Sequence, residues 1–326
     1  MAQPDIRETI VAGPLANVSI AYRNKSYIAD RIFRIVDKVA PKALIARYLK
    51  SAWFRDEAAI RGPGAEAVRG GYPTDYLSAN LKEYAFAKEV TDEDRRYSNV
   101  AGAPPLKPDQ DALEFCADKI DLRHERLVAN LVLTGTWSGV AGEDAEGGWA
   151  HGASPCTFIS DVETRIETIR GNTGLRPNVL VLSANTLAEV KQDSSVLDRI
   201  KYTERGIVTP DLIAALFGLE ACLVGDAIYS SAKETKAGTE WTAYNVWEKN
   251  AGKGSAYLCY RPPAPGLKVP AAGYICRGAY ESGQPRRNVT WREAARHQDV
   301  YEVAEEIDIV QTGPDLGFFW YDTILT

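Results

Sequence analysis

Features of membrane, secreted and nucleic-acid-binding proteins are scarce in this chain. Its 326 residues carry a formal net charge of −6, and this acidic sum argues against tight binding to a polyanion. No apolar run approaches the roughly 18 residues that a membrane-spanning helix needs. The first residues, MAQPDIRETIVAGP, lack the basic and apolar regions of a signal peptide. The sequence therefore predicts no membrane partner and no secretion.

Cysteine and histidine are too sparse and too scattered for a metal centre or a disulfide framework. The five cysteines, none of them in a CxxC pair, are Cys116, Cys156, Cys222, Cys259 and Cys276. The three histidines are His124, His151 and His297. Neither set has the spacing of zinc ligands, so we expect free thiols in a reducing compartment and no bound metal.

Motifs of catalysis are missing as well. The GKGSA segment at residues 252–256 lacks the first glycine of a phosphate-binding loop, and His124–Glu125 lacks the second histidine of a zinc-protease motif. Asp226 follows a predicted strand in VGDAIY, where an aspartate forms a turn more often than an active site. We therefore expect no catalytic residue and no cofactor. A cytosolic α+β enzyme that uses Asp226 or His151 stays open as an alternative.

The strongest secondary-structure signal is a long helix from Pro108 to Gly135. Its apolar or small residues recur at steps of three and four, at Leu113, Cys116, Ala117, Ile120, Leu127 and Leu131. Pro108 suits the first turn of a helix, and Gly135 suits its end. At ~1.5 Å per residue the helix would be roughly 40 Å long. His124 interrupts the apolar stripe, and a histidine there is more often a satisfied core or interface residue than a ligand.

Residues from about Leu44 to Val90 predict two extended limbs around a glycine-rich tip. The stretch from Leu44 to Phe54 is rich in β-formers, RGPGAEAVRGG supplies the tip, and Tyr84 to Val90 alternates with the period of a strand. An isolated two-stranded ribbon is marginal in water, so this one must cover its own domain or a neighbouring subunit. The candidate intersubunit contacts on it are Arg55, Arg61, Glu66, Arg69, Lys82 and Lys88.

The rest of the chain predicts helices mixed with strands, which indicates an α+β fold. A helix is expected over DVETRIETIR, opened by a capping box of Ser160 and Glu163. NVLVLS predicts a buried strand, and PDLIAALFG predicts a helix capped by Thr209 and ended at Gly218. ACLVGDAIYS is expected to form a second buried strand. The other predicted strands are WTAYNVWE, SAYLCYR, AGYICRGAY, HQDVYEVAEEIDIV and GFFWYDTIL.

Four segments, in this order, resemble the major capsid proteins of tailed bacteriophages, which share the Hong Kong 97 capsid fold. They are YIADRIFRIVDKV at Tyr27–Val39, the RGPG tip at Arg61–Gly64, LVLTGTWSG at Leu131–Gly139, and the VLDRIKYT-containing segment Pro177–Tyr229. The resemblance covers nearly the whole chain, from about Ser26 to Thr326.

This resemblance implies an α+β, Hong Kong 97-like capsid fold with four regions. They are an N-terminal arm (1–43), an extension loop (44–96), a peripheral domain with the long spine helix (97–177, with closing strands 298–326) and an axial domain (178–297). In this fold the extension loop lies over an adjacent subunit. The resemblance therefore favours a neighbour, rather than the chain's own domain, as the cover of the ribbon.

The function implied by the resemblance is structural. A major capsid protein self-assembles into hexamers and pentamers of an icosahedral phage head that encloses packaged double-stranded DNA. The expected partners are other copies of the chain, a separate scaffolding protein, a portal and, as an option, decoration proteins. DNA would be met only through weak non-specific contacts, because strong binding would hinder packaging. The expected location is the virion capsid, assembled in the bacterial host cytoplasm. An encapsulin-type bacterial nanocompartment shell is the alternative within the same fold.

Some relatives in this fold join an extension-loop lysine to an asparagine of a neighbouring subunit, with a buried glutamate assisting. This chain has residues of the types that the cross-linking reaction needs: Lys82 and Lys88, Asn130 and Asn288, and Glu125. A glutamate follows each of the two lysines, which favours a protonated amine, whereas the reaction needs a neutral one. We therefore expect no isopeptide cross-link.

Overall fold

This computed structural model describes residues 23–24, 26–98, 106–153, 155–200, 208–232, 241–280 and 283–324. Residues 1–22 of the predicted arm lie outside these ranges, as does the end of the VLDRIKYT segment. The α-helices, numbered in chain order, are α1 (Ala29–Ile32), α2 (Lys50–Trp53), α3 (Asp92–Ser98), α4 (Pro108–Thr134), α5 (Phe158–Thr173), α6 (Ala184–Val190), α7 (Ser194–Ile200) and α8 (Pro210–Phe217). None of the described helices is both long and apolar enough to cross a membrane.

The strands follow the same numbering. They are β1 (Arg34–Val36), β2 (Lys42–Tyr48), β3 (Thr74–Asn80), β4 (Lys82–Thr91), β5 (Glu143–Asp144), β6 (Val179–Ser183), β7 (Ala221–Gly225), β8 (Ile228–Ser230), β9 (Ala243–Asn245), β10 (Ser255–Cys259), β11 (Gly273–Arg277), β12 (Arg286–Glu293), β13 (Gln298–Gln311) and β14 (Gly317–Tyr321).

The long helix α4 connects two separate layers of the molecule. It begins at Pro108 and ends at Thr134, and the N–H of Gly135 donates to the carbonyl of Leu131, which confirms the predicted helix. In its first half, Cys116 and Ile120 pack against Val303 of β13. In its second half, Val128 and Val132 belong to another core, which includes residues of β6, β10 and β14. Because one rigid helix contributes to both cores, it sets the position of one sheet relative to the other.

The first sheet is built around the long strand β13. It has the order β1-β11-β13-β12, and β4 also pairs with β13. Both β4 and β12 pair antiparallel with residues 298–305 of β13, so they must lie on its opposite edges. Strand β1 joins β11 in parallel and thereby brings the segment after α1 into this sheet.

The second sheet has the order β5-β14-β10-β6-β7 and is buried on both faces. Leu180 and Leu182 of β6 face a core that includes residues of α5 and α8, whereas Val179 and Val181 face the core of α4. Side chains alternate between the two faces of a strand, and a strand covered on both faces needs apolar residues throughout. This double cover explains why NVLVLS is a continuous apolar run rather than an alternating one.

The ribbon between residues 42 and 80 is a separate two-stranded sheet. Strands β2 and β3 pair antiparallel, from Lys42 opposite Asn80 to Tyr48 opposite Thr74. Residues 55–73 join the two strands and contain no helix or strand. The predicted ribbon with an irregular tip is therefore present, although its strands are shorter than predicted.

The second predicted limb is divided between two sheets. Strand β3 pairs with β2, but β4 leaves the ribbon and pairs with β13 along its whole length, from Lys82 opposite Ile307 to Thr91 opposite Gln298. The first limb also differs from the expectation for Leu44 to Phe54, because β2 ends at Tyr48 and α2 follows. Alternating apolar residues occur equally in a ribbon strand and in a strand of the main sheet, so the pattern alone did not separate them.

Two finer predictions in the second half of the chain are wrong. The helix predicted to open with a capping box of Ser160 and Glu163 already begins at Phe158. Ser160 lies in its first turn and donates to the carbonyl of Thr157 instead of capping a free N–H. ACLVGDAIYS is two strands, β7 and β8, separated at Asp226, and β8 pairs with β9. The cap of α8 is confirmed, because the N–H of Leu212 donates to Oγ1 of Thr209 and Gly218 is left-handed.

The sheets group the strands differently from the predicted regions. Strands β11 and β12 come from residues assigned to the axial domain, yet they pair with β13. Strand β14 comes from the closing segment assigned to the peripheral domain, yet it pairs with β10. Sheet membership alone thus does not mark where one region ends and the next begins, and the boundaries of the four regions remain a prediction.

Candidate interaction surface

The ribbon carries a concentration of exposed apolar side chains. Among the described residues, seven of the sixteen large apolar side chains that are exposed fall between positions 44 and 76. They are Leu44, Trp53, Phe54, Ile60, Val68, Tyr72 and Tyr76. Ile60 is fully exposed. Burying one such side chain contributes ~1.5–3 kcal/mol, so this surface would be strongly stabilised by a partner that covers it.

The charged residues of the tip pair with each other at the surface. Arg55 lies 3.5 Å from Glu57, and Arg69 lies 3.6 Å from Glu66, with both side chains of the second pair more than four-fifths exposed. Arg61 has no ion pair among the described residues. Exposed pairs of this kind contribute only ~0.2–1 kcal/mol, so little would oppose their exchange for contacts to another molecule.

The two candidate lysines lie away from the tip. Lys82 and Lys88 are on β4, inside the first sheet. Lys88 shares a face of β4 with Tyr84, which packs against the core of Cys116 and Ile120 on α4. The structure therefore places Arg55, Arg61, Glu66 and Arg69 on one surface and separates the lysines from it.

The residues considered for an enzyme do not form a site. Asp226 is exposed between β7 and β8, and His151 is exposed with its N–H donated to Glu189. A groove of about 350 Å³ between α4 and β4 is lined by other residues, among them Tyr84, Phe86 and Arg123. The described residues contain no group of three or more His, Cys, Asp or Glu side chains that could hold a metal ion.

A charge cluster with a buried centre surrounds His124, half-way along α4: His124 and Glu305 are buried, and the other members reach the surface. Nε2 of His124 lies 3.0 Å from Oδ1 of Asp30, and Nδ1 lies 3.7 Å from Oε2 of Glu305. Glu305 is fully buried and also lies 3.1 Å from Nε of Arg277 and 3.2 Å from Nη2 of Arg286. The sixth member, Asp121, pairs with Arg286. These six groups, three acidic and three basic, balance in charge when His124 is protonated, and the exposed Asp37 adds a fourth carboxylate 4.0 Å from Arg277.

The cluster favours the charged forms of His124, Glu305 and Asp30 by shifting their pKa values. Burial by itself would lower the pKa of His124, but Asp30 and Glu305 outweigh it and raise that pKa to about 9. Burial would raise the pKa of Glu305, yet His124, Arg286 and Arg277 keep that pKa below its ordinary value. His124 also lowers the pKa of Asp30. The prediction that His124 is a core histidine rather than a ligand agrees with its burial. Its two ring nitrogens lie close to carboxylates but form no hydrogen bond of good geometry, so His124 is held by charge rather than by hydrogen bonds.

Glu125 binds the same segment as His124 from the next position of α4. Its carboxylate accepts the N–H groups of Ile28 and Ala29, at 3.0 and 2.9 Å, and the indole N–H of Trp247 at 2.7 Å. Burial raises the pKa of Glu125, and these three donors oppose that shift. Together, His124 and Glu125 attach α1 to the middle of the long helix.

The sequence did not predict the partners of His124. The only local signal was Glu305, a carboxylate between Val303 and Ile307 on a face of β13 where all three side chains are buried. A charged residue at such a position predicts a buried partner, but the sequence does not say which one.

We predict that mature particles contain no lysine–asparagine cross-link. Glu125 is engaged by three donors and is therefore unsuited to proton transfer, and neither Lys82 nor Lys88 lies on the exposed ribbon. Particles boiled in detergent and reductant should give a single band near 35.8 kDa on a denaturing gel. A ladder of multimers that survives this treatment would contradict the prediction.

Comparisons with known proteins agree with the predicted fold. The sequence is 30% identical over 237 residues to the major capsid protein of Burkholderia phage BcepMu, a match that covers 69% of this chain and 72% of that protein. No protein-family model matches the chain.

Solved structures are similar over almost the whole length. A phage-related protein from Bordetella bronchiseptica RB50 superposes with a TM-score of 0.69 at 21% identity, covering 94% of this chain and 95% of the other. A chain of the capsid of Cyanophage P-SCSP1u superposes with a TM-score of 0.62 at 10% identity, covering 98% and 95%. At such identities the likeness shows the fold alone, and it confirms the α+β, Hong Kong 97-like architecture.

Proposed function

Because this chain belongs to the major capsid proteins of tailed bacteriophages, we propose that its copies form the hexamers and pentamers of an icosahedral head around packaged double-stranded DNA. As a member of that family it is a shell protein of the virion capsid and not an enzyme. The observation that carries the proposal is the ribbon, whose apolar side chains stay exposed in the single subunit. A surface of this kind needs a neighbour, and a closed shell supplies one for every copy.

In this proposal the ribbon of one subunit lies over the adjacent subunit. Ile60 and Val68 of the tip would supply most of the apolar contact, while Arg61 and Arg69 would pair with carboxylates of the neighbour. The apolar contact would supply most of the free energy of association, whereas the charges would favour the correct register.

Assembly is tested by sedimentation and negative-stain microscopy of the purified protein, with and without a candidate scaffolding protein. We expect closed shells or capsomers at micromolar concentration. Deleting residues 56–70 should leave a folded subunit that no longer assembles, because the deletion removes only the exposed tip. A wild-type protein that stays monomeric with its complete assembly machinery would contradict the proposal.

Charge reversal tests whether the tip touches the neighbouring subunit. The double variant Arg61→Glu, Arg69→Glu should lower the association constant ~2- to 5-fold for each intersubunit ion pair that it removes. The circular dichroism of the subunit should not change, because both side chains are exposed. Arg61→Lys with Arg69→Lys keeps the charge and serves as the matched control. Equal shell yields from the glutamate and lysine variants would show that these charges form no intersubunit ion pairs.

The proposal extends to the other components of a phage head. A separate scaffolding protein and a portal would act with this chain in the host cytoplasm, decoration proteins are an optional addition, and DNA would be met through weak non-specific contacts. The net charge of −6 supports the last point, since a strongly basic wall would slow DNA during packaging.

An encapsulin-type compartment stays the alternative function. Particles that contain double-stranded DNA support the phage head, and particles that contain a cargo enzyme support the compartment.

A further inference from the structure

Three aromatic rings form a cup at the base of the tip, where strands β2 and β3 of the ribbon end. Tyr48 ends β2, Trp53 ends α2, and Tyr72 stands shortly before β3. Their ring centroids lie 6.1 Å (Tyr48–Trp53), 5.7 Å (Tyr48–Tyr72) and 5.9 Å (Trp53–Tyr72) apart. Because Trp53 and Tyr72 are each more than half exposed, the cup is open rather than part of a core.

A lysine from a distant segment reaches into this cup. Lys268 lies in the loop between β10 and β11, and its Nζ is 5.4 Å from the centroid of Tyr48 and 5.6 Å from that of Trp53. Both distances are within the range of a cation–π contact. Lys268 has a φ of +60°, an uncommon conformation for a residue other than glycine. No carboxylate forms an ion pair with Lys268 among the described residues, so the rings are the principal partners of its charge.

We propose that Tyr48, Trp53 and Tyr72 are a cation-binding site that Lys268 fills, and that this contact docks the base of the tip on the body of the subunit. Two neighbouring contacts support the same attachment. Lys50 of α2 forms an ion pair with Asp315. The Phe54 ring lies beside Gly174, at the end of α5. A Cβ atom added to this glycine would be 3.7 Å from the ring.

The docked base contrasts with the free tip. The ion pairs of described residues 55–73 join members of that segment only, Arg55 to Glu57 and Glu66 to Arg69. The docking contacts at the base of the tip are weak and individually reversible, so the tip can leave the body while Ala79 of β3 stays packed against Cys276 and Val310. Reversible docking allows one tip to adopt different angles. This consequence for hexamers and pentamers rests on the proposed function, whereas the docking itself does not.

Hydrogen exchange on the full-length, unassembled protein tests the docking. The reporters are the N–H groups of Ala52 and Phe54, which donate to the carbonyls of Leu49 and Lys50. Lys268→Gln should speed their exchange about two- to five-fold, the factor that corresponds to one exposed cation–π contact. Lys268→Arg should exchange like the wild type, because a guanidinium also stacks on aromatic rings.

A matched control separates the cup from general effects of removing a lysine. Lys249 lies 4.0 Å from the ring centroid of Tyr321, remote from the ribbon, so Lys249→Gln should leave the exchange of Ala52 and Phe54 unchanged. Tyr72→Leu removes one wall of the cup and should have the same effect as Lys268→Gln. Unchanged exchange in Lys268→Gln, or an Arg variant that behaves like the Gln variant, would overturn the proposal. Since these subunits are unassembled, either result is independent of whether shells form.

Discussion

Replacing Glu305 by glutamine is expected to lower the free energy of unfolding by ~3–5 kcal/mol, the usual cost of removing one partner from a buried ion pair. Glu305 is fully buried, and three cationic groups lie within 3.7 Å of its carboxylate. The glutamine would occupy nearly the same volume, so the destabilisation would come from charge rather than from packing. Arg277, Arg286 and protonated His124 would then keep only partly exposed carboxylates as partners, those of Asp30, Asp37 and Asp121. Urea unfolding of unassembled subunits, followed by circular dichroism, measures the change.

Glu302→Gln is the matched control for this prediction. Glu302 lies on the same strand, three residues away, and pairs with Arg287 at 3.2 Å near the surface. Its removal should cost no more than ~1 kcal/mol, because solvent screens the pair. Equal effects of the two substitutions would show that the cluster around His124 contributes no more than a surface pair.

Elements with a strong local pattern could be predicted from the sequence. The helix from Pro108 to Thr134 combines an apolar stripe with a proline at its start and a glycine after its end, and none of these signals needs information from another segment. The cap of α8 by Thr209 and the buried strand NVLVLS are similar cases. The exposed tip was predicted because glycine and proline exclude both regular structures.

What the sequence did not reveal depends on contacts between distant residues. His124 and Glu305 are 181 positions apart, and Lys268 is more than 190 positions from each ring of its cup. Strand β4 has the same alternation whether it pairs with β3 or with β13. The alternation therefore does not tell which strand β4 pairs with. In the folded chain β4 pairs with the longer strand β13, which brings Tyr84 into contact with the core of α4.

His124 and Glu125 explain where the N-terminal arm leaves the body. They are adjacent on α4 and bind α1 at different points, one through the carboxylate of Asp30 and the other through the N–H groups of Ile28 and Ala29. Arg23, farther towards the N-terminus, lies 3.7 Å from Glu114 and 3.8 Å from Asp118 on the same helix. The described residues before β1 thus lie along α4, where charged groups add to the apolar packing of α1.

The stability of the subunit should therefore depend on pH through His124. Its pKa is about 9 in the folded protein and ~6.5 in an unfolded chain. A raised pKa of this kind contributes stability that is complete below pH ~6.5 and is lost as the pH rises towards 9. The difference corresponds to ~3 kcal/mol, because each pKa unit is worth ~1.4 kcal/mol. The pKa values of Asp30 and Glu305 are lowered and that of Arg286 is raised, so these three groups stay ionised in this interval and add no slope of their own.

The measurement compares the free energies of unfolding of the wild type and His124→Gln between pH 6 and pH 9. We expect the variant to be less stable at pH 6 and the two curves to converge as His124 loses its proton. Taking the difference between the proteins removes the contribution of the buried thiols, such as Cys276 with its pKa raised to about 11. His151→Gln, a change at an exposed histidine, should run parallel to the wild type. Parallel curves for His124→Gln as well would mean that His124 is not the charged partner of Asp30 and Glu305.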